Sequence, residues 1–312
     1  MEKRKFQVAV ILVNYNSSKY TIDCIQSIFK QSSSTTHFQV IVVDNNSEKE
    51  DFQRLEEVKG LENVTVFRSK LNVGFSGANM LGVQLASADY YYFLNNDCVI
   101  LNDCLSILLD FMESHPDVGN CSGEMFISND QYDYNFRNFP SLALKLLGSG
   151  LLRLLYPERF PDRHRRLEKP TRVDLVNGSS MFIRARPFEA IGGFDTNYFL
   201  YCEEEDIALR LYRAGYFTFL VPPARYKHFI SRSTQSDGKI NLPFLKEFYI
   251  SFFYYVSKNY GYGHRLAMRW FYIFKIGRKF YKNSDYLRLA MFVAGGAHMK
   301  HSLRFKQKIS DE

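Results

Sequence analysis

The sequence predicts an α/β protein built on a doubly wound, mostly parallel sheet. Two observations carry this. Near-continuous β-branched and aliphatic runs alternate with helical periodicities through the first 120 residues, and the runs end in polar clusters at residues 14–16, 44–47 and 95–97. Strands buried on both faces read as unbroken apolar runs, and their alternation with helices makes the sheet parallel. Ligands of such sheets bind beyond the carboxyl ends of the strands, so the three clusters mark one candidate site.

The elements follow in order. "FQVAVILVNYN" is a first buried strand, and "SKYTIDCIQSIFKQ" places Ile22, Ile25, Ile28 and Phe29 at helical spacing. "HFQVIVVDNNS" is a second strand, followed by a polar helical stretch over 48–59 and a third strand, "VTVFR". "NVGFSGANMLGVQLAS" reads as a loop opening into a helix, and "DYYYFLNNDCVI" as a fourth strand. Residues 137–172 form an insertion, with a Leu-rich amphipathic helix and then a Pro-punctuated basic loop. The core resumes at "RVDLVNGSSMFIRARPFEAIGGF", and residues 241–312 form a helical tail. The expected divisions are a main domain over 1–240, in halves over 1–120 and 173–240 around the insertion, and the tail.

Composition limits the alternatives. The chain has 312 residues, 46% of them hydrophobic, enough for a substantial core. No stretch reaches the ~18 uninterrupted apolar residues of a spanning helix. The short apolar run at the N-terminus leads into polar residues and reads as a strand rather than a signal peptide. The five cysteines show no CxxC spacing and lie in apolar or mixed surroundings, so they read as buried reduced thiols of a cytoplasmic chain. Neither GxGxxG after the first strand nor GxxxxGK[ST] occurs. The tail holds 13 Lys and Arg against 4 Asp and Glu, a balance of +9, which leaves −2 for the first 240 residues. Its mixture of aromatic and cationic residues fits either a core-packing helix pair or a helix lying on an anionic membrane surface. No nucleic-acid motif accompanies the charge, so no nucleic-acid partner is expected.

Seven segments, "VILVNYNS", "VVDNNS", "NVGFSGANMLG", "FLNNDCV", "VNGSSMFIRARPFEAIGGFD", "FLYCEEEDIALRLYRAGY" and "KHFISRST", come in an order that resembles glycosyltransferase family 2, in its bacterial rhamnosyltransferase-like branch. The resemblance covers residues 6–235. It implies a GT-A fold, with a Rossmann-like, mostly parallel central sheet flanked by helices and a C-terminal helical extension. It also implies an inverting transfer from a nucleotide-sugar donor, dTDP-rhamnose or a UDP-hexose, to a saccharide or polyprenyl-linked acceptor in surface polysaccharide synthesis, at the inner face of the cell membrane. A UDP-galactofuranose donor, or a silent nucleotide-binding scaffold, is the alternative.

The residues fit those roles chemically. Asp44, at a strand end, can accept hydrogen bonds from a base or ribose, and the resemblance assigns it the base; Asn14, Asn16 and Asn96 join the same nucleotide pocket. Glycine at Gly74 lets backbone approach a ligand, and the family resemblance adds Asn72 and Asn79. "LNND" stands where the family has DxD, with Asn95 in place of its first acid. Asp97 and His228 are then the ligands of Mn²⁺ or Mg²⁺, a hard cation suited to oxygen and imidazole donors. Arg232 and Ser233 lie near the diphosphate. Gly178, Ser179, Asp195 and Asp206 fall on the sugar and acceptor side. An inverting displacement needs a base on the acceptor hydroxyl, and Glu203 or Glu204 is that base. Asp206 and Arg210, four apart on a helix, are expected to pair, and Glu205 is expected to face solvent.

Overall fold

The computed structural model describes residues 4–127, 130–157, 160–162, 165–229, 241–281 and 283–310. The first half is the expected alternation: β1 (Phe6–Asn14), α1 (Ser18–Gln31), β2 (Phe38–Asp44), β3 (Val64–Arg68), α4 (Gly74–Leu85) and β4 (Ala88–Leu94). The polar stretch after β2 is two short helices rather than one, α2 (Lys49–Arg54) and α3 (Glu56–Lys59). The fully buried Leu55 marks the joint, its N–H tightened onto Phe52 O. These strands run parallel in the order β3-β2-β1-β4. Asn14 pairs in register with Asp44, so two of the polar clusters end level with each other.

Beyond β4 the sheet changes direction. β5 (Cys98–Ile100), α5 (Cys104–Ser114) and β6 (Val118–Phe126) are followed by β7 (Tyr132–Asp133) and β8 (Phe136–Arg137). The insertion contains α6 (Leu142–Leu155), two helical halves that turn at Gly148, whose φ is +77°. Next come β9 (Thr171–Val173), β10 (Leu175–Val176), β11 (Ser180–Arg184), α7 (Ala185–Ala190), α8 (Glu203–Arg213) and β12 (Phe217–His228). β11 inserts antiparallel between β4 and β6, and β12 lies parallel to β6 with β5 antiparallel at its outer edge. The pairing of His228 with Cys98 sets the end of β12 beside the third polar cluster. Val8, Val10, Leu12, Val40, Val42, Tyr92 and Phe182 fill one face of the sheet. Ile11, Val43, Phe93, Met181 and Phe188 fill the other. Each fully buried side chain of this size contributes about 1.5–3 kcal/mol. All five cysteines are buried and free.

The tail builds a third core. α9 (Leu242–Gly277) turns at Gly261, where φ is +85°. Its first half buries Tyr249, Ile250, Phe252, Phe253, Tyr255 and Val256 with Tyr198, Cys202 and Leu209 of the catalytic domain. Its second half buries Met268, Tyr272 and Ile276 in the same cluster as Leu289, Ala290 and Val293 of α10 (Asp285–Ala294). Core packing therefore accounts for one face of the tail. Polar bonds fasten it as well. Lys258 Nζ lies 2.8 Å from Asp195 Oδ2 and 3.0 Å from Asp206 Oδ2, and Asn259 Nδ2 donates to Asp206 Oδ1 at 3.1 Å. Asp206 Oδ2 also accepts from Arg210 and Asp195 Oδ2 from Tyr254, so loss of Lys258 removes charge-assisted bonds without leaving either oxygen bare, at a cost of about 1.5–3 kcal/mol. Lys258→Met is therefore expected to lower unfolding stability by about 2 kcal/mol in a urea titration, by the same reasoning.

Candidate active site

The nucleotide-side cluster is built around Asn14 and Asp44, both fully buried. Asn14 Nδ2 lies within hydrogen-bond reach of Asp44 Oδ1 (2.9 Å), Asp51 Oδ2 (2.9 Å) and Ser47 Oγ (3.1 Å). The Ser47 N–H donates to Asp44 Oδ2 at 3.2 Å, and Arg68 Nε stands 3.6 Å from the same oxygen. Burial works to raise the Asp51 carboxyl, but hydrogen bonds from Asn14 and Ser18 outweigh it and hold the group below its ordinary value. Asn16 is exposed in the left-handed region at φ +52°, and its Oδ1 accepts from Glu48 N. Asn72 Oδ1 accepts from Asn45 Nδ2 and Gly74 N, which shapes the loop before α4. Asn79 is buried in α4 and donates to Phe75 O. At Gly74, with φ +78°, an added Cβ would stand 2.3 Å from Phe199 O, so only glycine admits this approach. The close packing joins the start of α4 to the segment that leads into the acidic run.

The third cluster joins the end of β12. His228 Nε2 lies 3.1 Å from Asp97 Oδ1, and Phe229 N donates to Asp97 O at 2.9 Å. Asp97, Cys98 and His228 bring one donor atom each within 4.8 Å of one another. Cys98 Sγ points to Ser179 O at 3.6 Å, and burial pushes its thiol well above the ordinary value. The usable donors are one carboxylate and one imidazole, a set that fits an oxygen-seeking divalent cation completed by phosphate oxygens. Asn96 Nδ2 turns away to Ser17 Oγ and Thr21 Oγ1, at 2.7 and 2.8 Å, tying this cluster to α1. Arg232 and Ser233 lie outside the described residues.

The acidic run opens α8. Tyr201 and Cys202 precede it with φ of +73° and +67°, two consecutive left-handed non-glycine residues. Such backbone costs on the order of 1–3 kcal/mol per residue. Packing holds it in place: Cys202 is buried in the tail core, Tyr201 meets Phe248 edge to face, and Leu200 O accepts from Ser251 Oγ at 2.7 Å. The four acids then separate. Glu203 is 7% exposed with Oε2 unpartnered, and burial, then the neighbouring Glu204 charge, pushes its carboxyl well above the ordinary range. Glu204 faces Gly178, where an added Cβ would stand 3.6 Å from its Cδ, and accepts a hydrogen bond from Arg137. Asp206 is fully buried, bonded by Tyr198 OH at 3.2 Å and, as expected, by Arg210 Nε at 2.7 Å.

Glu205 corrects the sequence expectation. It is 5% exposed rather than solvated, and Arg137 Nη1 lies 3.0 Å from its Oε1. Burial and the Glu204 charge raise its carboxyl to about 8. The sequence offers no signal for this, because the partner sits 68 positions upstream on β8.

The turn at 177–180 links the two halves of the site. Ser179 O accepts from Asn95 N at 2.9 Å, and the preceding Gly178 abuts the Glu204 carboxylate. The third cluster, through Asn95, and Glu204 thus both meet this one turn. Ser179 Oγ lies 3.1 Å from Tyr226 OH, inside the core. Asp195 and Asp206 stand apart from this turn, in the Lys258 network. Burial works to raise Asp195, but Lys258, Asn197 and Tyr254 outweigh it and hold the carboxyl below its ordinary value.

Comparison with known proteins now decides the family. The model for glycosyl transferase family 2 matches residues 9–192. The chain belongs to that family. It is similar to the rhamnosyltransferase WbbL of Escherichia coli (strain K12), 26% identical over 242 residues that cover 73% of this chain and 86% of the relative. It is also similar to the N-acetylglucosaminyl-diphospho-decaprenol L-rhamnosyltransferase of Mycobacterium tuberculosis (strain CDC 1551 / Oshkosh), 38% identical over 81 residues, 26% of each chain. Among solved structures, GalNAc-T7 with UDP, GalNAc and Mn²⁺ superposes with a TM-score of 0.62 at 15% identity, over 82% of this chain and 50% of the other. The mannosyltransferase PcManGT of Pyrobaculum calidifontis, with GDP-Man and Mn²⁺, gives 0.54 at 14% identity, over 83% and 66%. The fold of this family 2 glycosyltransferase is therefore of the GT-A type. The matched segment ends before α8 and His228.

The raised Glu205 carboxyl has a consequence for stability. A carboxyl raised in the folded state favours folding when protonated, so its contribution is complete below the unfolded value and is lost as pH rises towards about 8. Thermal melts of wild type and Glu205→Gln are expected to diverge over that window, with wild type losing stability relative to the variant.

Proposed function

We propose that this glycosyltransferase moves one sugar, with inversion, from dTDP-rhamnose or a UDP-hexose to a saccharide or polyprenyl-linked acceptor in bacterial surface polysaccharide synthesis. The observation that carries this reading is the 177–180 turn, which meets both Asn95 of the cluster holding Asp97 and His228 and the carboxylate of Glu204. The nucleotide lies over the ends of β1, β2 and β4, with Asn14, Asn16, Asp44, Asn72, Gly74, Asn79 and Asn96 shaping its pocket and Asp44 beneath the base. Asp97 and His228 would hold Mn²⁺ or Mg²⁺, which when bound would supply positive charge against the diphosphate. Arg232 and Ser233 are assigned to the same diphosphate.

Glu204 takes the proton of the acceptor hydroxyl. The hydroxyl oxygen bonds to the anomeric carbon as the bond to the diphosphate breaks, and the nucleoside diphosphate leaves with the electron pair. Arg137 holds the Glu204 carboxylate in place. Glu203 is less suited, because it is buried in the start of α8. The WbbL likeness favours a rhamnosyl donor.

The tail places the enzyme on an anionic membrane surface at the inner face of the cell membrane. Tyr262, Leu266, Trp270 and Phe274 recur every four residues along α9, on the side away from Met268, Tyr272 and Ile276. They are 70%, 38%, 65% and 68% exposed. Arg278 stands 5.6 Å from the centre of the Phe274 ring, a cationic and aromatic pairing suited to a helix at a lipid interface. Among the described residues no helix is long and apolar enough to cross a membrane, so this contact is peripheral.

Two measurements check the reading. Asp97→Asn and His228→Ala should each abolish the Mn²⁺-dependent part of the thermal shift given by UDP or dTDP, and reduce transfer at least about 100-fold. An unchanged metal response in both variants would remove the assigned cation site. The double variant Trp270→Glu/Phe274→Glu should bind phosphatidylglycerol vesicles about tenfold more weakly at low salt. Equal binding by that variant would reject the membrane face.

A further inference from the structure

A cavity of ≈440 Å³ lies between α6 and α9, beside the acidic run, and no role assigned so far uses it. Glu205 and Arg137 line it, with Lys145 and the rings of Phe248, Phe252 and Tyr272. Its size falls within the range of small-molecule sites.

Three features define the ligand. First, both acids of the lining are paired with arginines, and Lys145 leaves one cation in excess. Arg137 and Glu205 are paired at 3.0 Å, and at the rim Arg153 Nη1 lies 2.6 Å from Asp162 Oδ1. With its acids paired, the lining offers a cationic guest little net attraction. Second, the wall is aromatic: Phe248 and Phe252 are stacked at 16°, and Tyr272 meets Phe252 at 76°. Such rings offer flat apolar area to the C–H face of another ring. Third, Glu205 is 5% exposed and its Oε2 has no hydrogen-bond partner among the described residues. A buried polar atom without a partner costs about 1–3 kcal/mol, and a ligand hydroxyl removes that cost. An uncharged, polyhydroxylated ring answers all three features.

We infer that this cavity seats the acceptor saccharide, with Glu205 and Arg137 bonding its hydroxyls and the Phe248–Phe252–Tyr272 wall packing one face of the ring. The inference rests on the reading of Glu204 as the base. Arg137 contacts both Glu204 and Glu205, so it couples the seat of the sugar to the proton acceptor. Glu205 is then a positioning residue. The acceptor side moves here from Asp195 and Asp206, whose oxygens are taken by Lys258, Arg210, Tyr198, Tyr254 and asparagine side chains.

The test uses the full chain saturated with UDP or dTDP and Mn²⁺, which fills the nucleotide site. Two soluble probes are offered, octyl N-acetyl-β-glucosaminide and octyl α-rhamnoside, and saturation-transfer NMR reads their ring protons. Wild type should saturate the ring protons of at least one probe. Gly150 lines the cavity, and a Cβ there meets nothing within 4 Å, so Gly150→Trp adds bulk at the cavity wall without a clash at Cβ. It should raise the probe Kd at least about tenfold, while Gly150→Ala binds as wild type does. Glu205→Gln should also weaken binding, with the thermal shift by nucleotide unchanged. Should Gly150→Trp lose its nucleotide response, Lys145→Ala takes its place with the same expected weakening. The inference is overturned if wild type saturates only the octyl chain or nothing, or if a folded variant at Gly150 or Lys145 binds as wild type does. Wild type that fails to bind nucleotide counts instead against the donor-site reading, and the probes alone then judge the cavity.

Discussion

One guanidinium against two carboxylates sets the character of the site. Glu203, Glu204 and Glu205 open one helix within a largely dry environment, and like charges so close together cannot all ionise cheaply there. Arg137 reaches Glu204 and Glu205 and leaves Glu203 without it. The three neighbours consequently differ. Glu203 and Glu205 are driven towards the protonated form, while Glu204, beside Gly178, is the one that meets the open side of the turn. A helix N-terminus favours negative charge and tolerates the cluster, but burial raises Glu203 and Glu205 by more than Arg137 lowers them.

That arrangement depends on the tail. The left-handed pair Tyr201 and Cys202 aims α8, and nothing local favours that conformation. Aromatic packing from the first half of α9, the Ser251 bond to Leu200 O, and Lys258 between Asp195 and Asp206 hold it. The tail thus braces the entry to α8 as well as carrying basic charge. Its two faces divide the work: Met268, Tyr272 and Ile276 pack inward, and the Tyr262 to Phe274 stripe remains outside.

Much of the catalytic domain was legible in the sequence because its signals are local. Buried parallel strands announce themselves as β-branched runs, and the polar clusters at their ends collect where a doubly wound sheet opens. The pairing of Asp206 with Arg210 followed from helical spacing alone. What the sequence hid was long-range. The antiparallel insertion of β11 between β4 and β6 has no local signature. The burial of Glu205 depends on Arg137, and the saturation of Asp206 depends on Lys258, 52 positions away. Asn72 reads as a nucleotide-pocket asparagine, and in the fold its Oδ1 accepts from Asn45 Nδ2 and Gly74 N. A polar residue at a strand end can face a ligand or build the loop that does, and the residue type alone does not separate the two.

The central claim is that Glu204, and neither of its neighbours, removes the acceptor proton. The most direct measurement is single-turnover transfer by Glu204→Gln and Glu203→Gln, with nucleotide affinity measured alongside. Glu204→Gln should lose about 10²–10⁴-fold in the transfer rate at unchanged nucleotide affinity, the usual contribution of a general base, while Glu203→Gln keeps most of its rate. Transfer by Glu204→Gln at the wild-type rate, or the same loss in Glu203→Gln, would contradict the account.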